Sequence, residues 1–454
     1  MILDDFLSHH PEFEFDLEDH VRATIQRDYL VQRWVDFTAN STPLTRDRIM
    51  QFYWHEFSPG VEKYRGLAGS SDWQAIPYIS KSDIRACRGA FLNSSYGGMR
   101  WQKWTGGTTG NPIAIDYDDI FYFEQLYLGL RKIAHRYGID ETALGRVYST
   151  TLLTTQFGTG RTVFVNPLGA TGLMTRVTID ERDQFQTADT WRTVCELSPV
   201  ILAAKPTLLS TLLKHQVKGV LESLKLIISS GAFLSPTLRK SVREYFGVPI
   251  VNAYALSEFG LVASECQFGS MHIDDMCVVA EVAAYGNAPS VDEGYGELVL
   301  SSASNTAMPL LRYRTGDFAV LARGGCACGS RNTIIQALYG RQIPLFQFPN
   351  GTIFDPSRLD RILFKFAWVK DYLIVQTDEV TVSTLVQFWL DKEREEHLRI
   401  VSREVRAALP YPARIRVEHV PSEAAFTGQR HTDKERSLTV PYDTRPEPKN
   451  RFSA

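Results

Sequence analysis

Apolar positions change rhythm along this chain. Through the first hundred residues they recur at helical intervals: in DLEDHVRATIQRDYLVQRWVDFTA, Val21, Ile25, Leu30, Val31 and Trp34 fall near helical spacing. IPYISKSDIRAC then supplies a proline, a short extended stretch and Ser80 or Ser82 as helix N-cap. From residue 101 to about 340, short apolar runs alternate with helical stretches. PVILAAKPTLLSTLLKHQ predicts a strand, a proline break and a helix, and LKLIISSGAF a strand ending in a serine–glycine turn. SPTLRKSVREYFG predicts a helix with Ser235 as N-cap, Pro236 in its first position and Gly247 past its end. VPIVNAYALSE returns to strand and then loop.

Strand, turn, helix and strand in this order predict an α/β layer with a mostly parallel sheet. Ligands in such sheets sit at the carboxyl ends of the strands, so SSGAF and YALSE are candidate site walls. GYGELVLSSASNTAMPLLRYRTGDFAVLA predicts an added antiparallel β unit. Beyond YGRQ, the stretches FDPSRLDRILFKF, DYLIVQTD, TVSTLVQFWL and DKEREEHLRIVSREVRAAL form an αββα-like set. The expected division is a large N-terminal domain over residues 1–340 and a small α+β domain over 341–454. Its proline-containing tail, VPYDTRPEPKNRFSA, is expected to be poorly structured.

Composition narrows the classes. At 454 residues, two or three domains are expected. Hydrophobic residues at 44% and charged residues at 22% fit a soluble globular protein. A net charge of -3, from 49 basic and 52 acidic residues, gives no reason to expect a nucleic-acid or membrane partner. No apolar run reaches the roughly 18 residues of a transmembrane helix. The acidic opening MILDDFLSHHPEFEFDLEDH does not look like a secretory signal, so a cytoplasmic location is expected. Six cysteines in so long a chain do not read as a disulfide framework.

The densest chemistry lies in WTGGTTG, residues 104–110. Glycines let backbone amides approach an anion, successive amides make a concave anion site, and threonine hydroxyls add donors. The stretch lacks the lysine–serine or lysine–threonine pair of the common phosphate loop, and it is no G-x-G-x-x-G. Alone it is equally a glycine-rich hairpin turn. Taken alone, Asp317 reads as a turn residue and Glu258 as a helix-start acid.

Four further stretches follow in order: SSGAFL (229–234), YALSEFG (254–260), YRTGD (313–317) and YGR (339–341). This ordered set resembles the adenylate-forming superfamily, and most of all its phenylacetate–CoA ligase and capsule-biosynthesis-related branch. YWHEFSPGVEKYRG and IPYISKSDIR are similar to that branch's N-terminal segments. The resemblance runs from about Tyr53 to about residue 435 and implies stacked sheets in the large domain and a hinged small one. It implies that Thr105, Gly106, Gly107, Thr108, Thr109 and Gly110 hold the β- and γ-phosphates of ATP, with Lys103 nearby. Ser230, Gly231 and Ala232 would line the adenine slot, and Tyr254 would stack on the adenine or border the acid. Ser257 and Glu258 would sit at the phosphates, Glu258 binding Mg²⁺. Asp317 would accept from the ribose hydroxyls, and Arg341 would lie at the hinge. These roles suit the groups: a carboxylate accepts from a diol, and Mg²⁺ bridging phosphates takes one or two carboxylates.

Two positions depart from the family pattern. Gln342 stands where an acidic hinge residue is usual, and Gln429 where a lysine after glycine is usual. Lys434 and Arg430 are the candidate cations for the α-phosphate, although RHTDKER also reads as a solvated charged stretch. Cys266, His272, Cys326 and Cys328 make a Cys₃His set suited to structural Zn²⁺, or a few buried thiols beside a surface histidine. Cys87, Cys195 and Cys277 are expected in the core. Phe157, Phe164 and Phe233 are candidates for an apolar acid slot, and equally for core.

The implied activity is an AMP-forming acid–thiol ligase. ATP and Mg²⁺ convert an aryl or short apolar acid to an acyl-adenylate, and CoA then takes the acyl group. Two rivals stand beside it: an amine or carrier-protein thiol as acceptor, and a non-catalytic nucleotide-binding homologue. The sequence leaves a homodimer open.

Overall fold

The structure is a computed structural model. It describes the chain apart from Met1 and residues 40–42, 68–69, 106–112, 140–147, 157–158, 168–172, 181–186, 215–220, 233, 284–289, 342–345, 355–358, 360–361, 364–365, 367, 389–393, 420–437 and 441–454. Contacts divide it into two compact units, with the boundary between Arg341 and Gln342.

The first unit begins with helices Ile2–His9, Leu17–Ile25 and Arg27–Thr38. The apolar period over residues 17–34 does give helices, but not one buried face. Leu30 is fully buried, whereas Val21 and Ile25 are 49% and 73% exposed. Ser80 caps the helix Lys81–Ala86 in a reciprocal capping box with Asp83. Ser235 caps Pro236–Phe246, and Gly247 ends that helix in the left-handed region at φ 69°.

The strands Leu173–Asp180, Tyr148–Gln156, Ile201–Ala204, Leu226–Ser230 and Ile250–Leu256 lie side by side and parallel. Their two-residue side-chain period serves two cores. Leu202, Ile227 and Ile250 face Trp191, Val194, Leu209 and Val242 of the connecting helices. Ile201, Ile228 and Val251 face Ile133 and Ala134 on the other side. Past Ile250–Leu256 the same sheet continues antiparallel through Gly260–Glu265, Met271–Ile273, Ile334–Arg341, Tyr313–Ala322, Gly294–Ser301 and Val279–Ala283. Parallel pairing thus occupies one half of the sheet and the β unit supplies the other.

A buried ionic cluster fastens helices to this antiparallel half. Lys132 Nζ donates to Asp274 Oδ2 at 2.8 Å and to Glu124 Oε1 at 3.3 Å. Arg33 and the Cys277 thiol also donate to Glu124 Oε1, each at 3.1 Å. Burial alone would raise the Glu124 pKa, but Lys132 and Arg33 outweigh it and hold it at about 2.

In the second unit the strand order is Arg414–His419, Thr381–Phe388, Val369–Asp378, Leu438–Val440, accompanied by helix Arg394–Ala408. Its own core gathers Phe346, Phe354, Leu363, Ile374, Val386, Val401 and Val405.

Two stability predictions follow from the first unit. Glu124→Gln leaves Lys132 and Arg33 undercompensated and should cost about 3–5 kcal/mol in urea unfolding. Because the folded pKa lies below the ordinary 4.5, the wild-type contribution is whole above that value and disappears as pH falls towards about 2; the variant should lack that acid-side slope. Gly260 has φ 66°, and a Cβ there would lie 1.8 Å from Gln125 Oε1. Gly260→Ala should therefore cost about 1–3 kcal/mol, and adding Gln125→Ala should recover the part due to the clash.

Candidate active site

The sheet changes from parallel to antiparallel at a tight hairpin. Leu256 pairs with Gly260, so Ser257, Glu258 and Phe259 form a three-residue loop closed by a left-handed glycine. The amide of Leu261 is held by Gln125 Oε1 at 2.8 Å. Behind the loop, the Tyr117 hydroxyl donates to the Ser257 carbonyl. Glu258 is buried, and its Oε1 accepts from the Tyr313 hydroxyl at 2.8 Å. At the hairpin's other end, Arg239 donates to Glu265 Oε1 at 2.7 Å while Glu265 Oε2 accepts from the Asn252 amide at 2.8 Å.

Tyr313 and Asp317 lie on one strand that bulges. Arg314 pairs with Val299 and Phe318 with Glu297, so Thr315, Gly316 and Asp317 together face Leu298. Gly316 takes φ 81° in the bulge. The Thr315 hydroxyl donates to the Leu298 carbonyl at 2.9 Å, and the Gly316 amide to Glu297 Oε1 at 3.1 Å. Arg314 Nε holds Glu297 Oε2 at 2.6 Å. Asp317 Oδ2 accepts from the Tyr254 hydroxyl at 2.5 Å. Burial and then the Asp317 charge push the Tyr254 pKa well above its ordinary value, so the phenol stays a donor. Burial, then Glu258, pushes Tyr117 up likewise.

Ser230 ends the strand Leu226–Ser230 and pairs with Ala253, which places Ser230, Gly231 and Ala232 beside the start of YALSE. Gly231 has φ 88°. Asp317 pairs through its backbone with Arg341, of which only the backbone is described. Thr105 is buried: its amide donates to Ile113 O at 2.9 Å, and its hydroxyl accepts from the Ile113 amide at 3.0 Å. It thus closes the base of the hairpin that carries the threonine–glycine stretch. Lys103 Nζ sits 4.9 Å over the Tyr122 ring. Gly106, Gly107, Thr108, Thr109, Gly110, Arg430 and Lys434 lie outside the described residues, as do Phe157, Phe233, Gln342 and Gln429. Phe164 is buried in the core.

The sulfur and imidazole set also assembles. One ligand atom from each of Cys266, His272, Cys326 and Cys328 lies within 4.8 Å of all the others. Cys266 Sγ and Cys326 Sγ are 3.6 Å apart, and Cys328 Sγ is 3.3 Å from His272 Nε2. Hydrogen bonding, first with Ser270, draws the Cys326 thiol down to about 6, while burial pushes Cys328 up to about 11. All six cysteines are free; Cys277 is buried, Cys195 half-buried and Cys87 exposed, so Cys87 is not the core residue the sequence led us to expect.

Sequence reasoning overlooked the phenols of Tyr313 and Tyr117 and the Glu297 brace. One signal was present: in YALSE and in YRTGD alike, a tyrosine precedes a carboxylate by four positions.

A family model described as AMP-binding enzyme matches residues 103–294. The phenylacetate–coenzyme A ligase of Thermus thermophilus is 26% identical over 390 residues, covering 83% of this chain and 82% of that protein. A phenylacetate–coenzyme A ligase of Escherichia coli is 24% identical over 270 residues, covering 57% and 59%. The crystal structure of a 2-hydroxyisobutyryl-CoA ligase in the postadenylation state shares the fold, with a TM-score of 0.63 at 16% identity over 87% of this chain and 88% of that one. An open conformation of that ligase gives 0.52 at 16% identity, covering 86% and 89%. No helix among the described residues is long and apolar enough to cross a membrane. By its ordered motifs, the matching family model and these relatives, the chain is similar to the adenylate-forming enzymes, phenylacetate–CoA ligases among them.

Proposed function

We propose that this AMP-forming ligase activates an aryl or short apolar carboxylic acid with ATP and passes the acyl group to CoA. The observation that carries the proposal is the meeting of Glu258 and Asp317: two carboxylates far apart in sequence, each held by a phenol from the other's motif. Asp317 accepts from the ribose hydroxyls. Glu258 faces the phosphates beside Ser257 and is the protein ligand for Mg²⁺, which supplies charge neutralisation at the phosphates. Tyr254 and the Ser230–Ala232 turn border the base. The threonine–glycine stretch, Thr105 to Gly110, holds the β- and γ-phosphates, and Arg430 or Lys434 is the candidate cation for the α-phosphate.

The substrate carboxylate oxygen attacks the α-phosphorus in line, the bond to the bridging oxygen breaks, and pyrophosphate leaves. The CoA sulfur, losing its proton, then attacks the acyl carbonyl, and AMP leaves as the thioester forms. Holding the reactants in line and neutralising charge supply most of the acceleration. Residues 1–340 form the nucleotide- and acid-binding domain, and the chain near Arg341 is the hinge on which the small domain changes position between half-reactions.

Cys266, His272, Cys326 and Cys328 hold a structural Zn²⁺. Their donor distances suit a tetrahedral ion, for which sulfurs lie about 3.7 Å apart, and with all four positions filled by protein no open site remains for chemistry. Held by these four residues, an ion would tie the turn after Gly260–Glu265 to the loop that leads into Ile334–Arg341.

Incubation with Mg·ATP and a panel of aryl and short-chain acids should give acid-dependent pyrophosphate release, and CoA should add AMP release and thioester. Glu258→Gln should lower kcat by about 10²–10³, and Asp317→Asn should raise the KM for ATP. No release across the panel from protein that still binds ATP would count against the proposal. Metal analysis should find about one zinc per chain, reduced in Cys328→Ser together with the unfolding temperature.

A further inference from the structure

YALSE (254–258) and YRTGD (313–317) have the same layout, a tyrosine four positions before a carboxylate, and they are bonded crosswise. The Tyr254 hydroxyl donates to Asp317, and the Tyr313 hydroxyl donates to Glu258. We propose that Tyr254 and Tyr313 are positioning residues, which together fix the ribose-side carboxylate and the magnesium-side carboxylate as one unit. The inference rests on the nucleotide reading of Asp317 and Glu258 given above.

The sheet itself does not set this distance. Ile250–Leu256 and Tyr313–Ala322 are separated in the sheet by Gly260–Glu265, Met271–Ile273 and Ile334–Arg341. Four steps across a flat sheet would put them about 19 Å apart. The side chains nevertheless meet at 2.5 Å and 2.8 Å, so the sheet curls until its members four strands apart face each other. Ladder hydrogen bonds join only adjacent strands, and small changes of twist at each of four steps add up. Two phenol–carboxylate bonds span the gap directly and remove that freedom.

The partners are built for this role. Tyr313 is 2% exposed and packed by the Phe259 ring at 5.6 Å, so its hydroxyl has little freedom to swing. Phe259 follows Glu258 in the hairpin loop, so donor and acceptor are placed by one packing contact. Burial keeps the Tyr254 phenol protonated, and therefore donating, through the neutral range. A carboxylate offers about four acceptor sites, so one phenol does not exhaust it.

ATP binding, titrated calorimetrically over a series of Mg²⁺ concentrations, tests the proposal without knowledge of the acid. The proteins are wild type, Tyr254→Phe, Tyr313→Phe, the double variant, Glu258→Gln and Asp317→Asn, with ATP and 2′-deoxy-ATP as probes. Phenylalanine keeps the ring packing and removes only the hydroxyl. Each tyrosine variant should weaken ATP binding by about tenfold or more and raise the Mg²⁺ needed for half-saturation. Tyr254→Phe should also reduce the preference for ATP over 2′-deoxy-ATP. The double variant should lose less than the product of the two single losses, because one unit is already released by either change. If Glu258→Gln and Asp317→Asn weaken binding but both tyrosine variants stay within about twofold of wild type, the positioning role is overturned while the nucleotide site stands. The same holds if the tyrosine variants only lower the unfolding temperature and leave the Mg²⁺ dependence unmoved. If Glu258→Gln and Asp317→Asn bind as wild type does, the nucleotide reading falls and this inference with it.

Discussion

The strand Ile250–Leu256 has a parallel neighbour on one edge and an antiparallel neighbour on the other. Parallel strands need a helix to return the chain, whereas antiparallel strands need only a turn. The switch from one to the other therefore sets a long connection on one side and a three-residue loop on the other. Glu258 sits in that loop, and the turn after Ser230 opens beside it at the carboxyl end of the neighbouring parallel strand. The groups proposed for the base and ribose are arranged around this change of pairing: base-side groups come from the parallel half, and Asp317 comes from the antiparallel half curling over to meet them.

The stability of that arrangement is supplied from behind. The Glu124, Lys132, Arg33 and Asp274 cluster joins two helices to the segment just after His272. A buried charge cluster of this kind is costly to leave half made, so it favours one packing over its neighbours more than it adds net stability. Gln125, next to Glu124, reaches the hairpin amide of Leu261. The ionic cluster and the site loop are thus adjacent residues of one helical turn, and a helix displaced at Glu124 would carry Gln125 off the hairpin.

Much of this was legible in the residues. Caps announced themselves through local chemistry: Ser80 with Asp83, and Ser235 with Pro236 and Gly247, need only their own neighbours. Strand and helix alternation gave the parallel half, and the spacing of cysteines and histidine gave a cluster whose members do converge. The spacing of Val21 and Ile25 gave a helix as expected but not its environment, because helical spacing is the same whether a face packs or meets solvent, and here both are exposed. The hydroxyl of Thr105 accepts from the amide of Ile113, a tie at the base of the threonine–glycine stretch that the residue pattern did not reveal. The tyrosine partners of Glu258 and Asp317 were invisible because contacts across four strands depend on sheet curl, which has no sequence period.

The bulge at Thr315–Asp317 has a consequence for how this chain can vary. Five residues from Arg314 to Phe318 span three on the partner strand, an excess of two. Side chains alternate with a period of two, so Tyr313 before the bulge and Ala319 and Leu321 after it remain on the buried side. Removal of one residue from the triplet would exchange inside for outside along the rest of the strand and cost the fold. Removal of Gly316 and Asp317 together would leave an ordinary strand against Gly294–Ser301, with the buried face kept and the carboxylate gone. Descendants of this sequence can therefore lose the site in a single two-residue deletion while keeping the scaffold, whereas one-residue deletions there are closed to them.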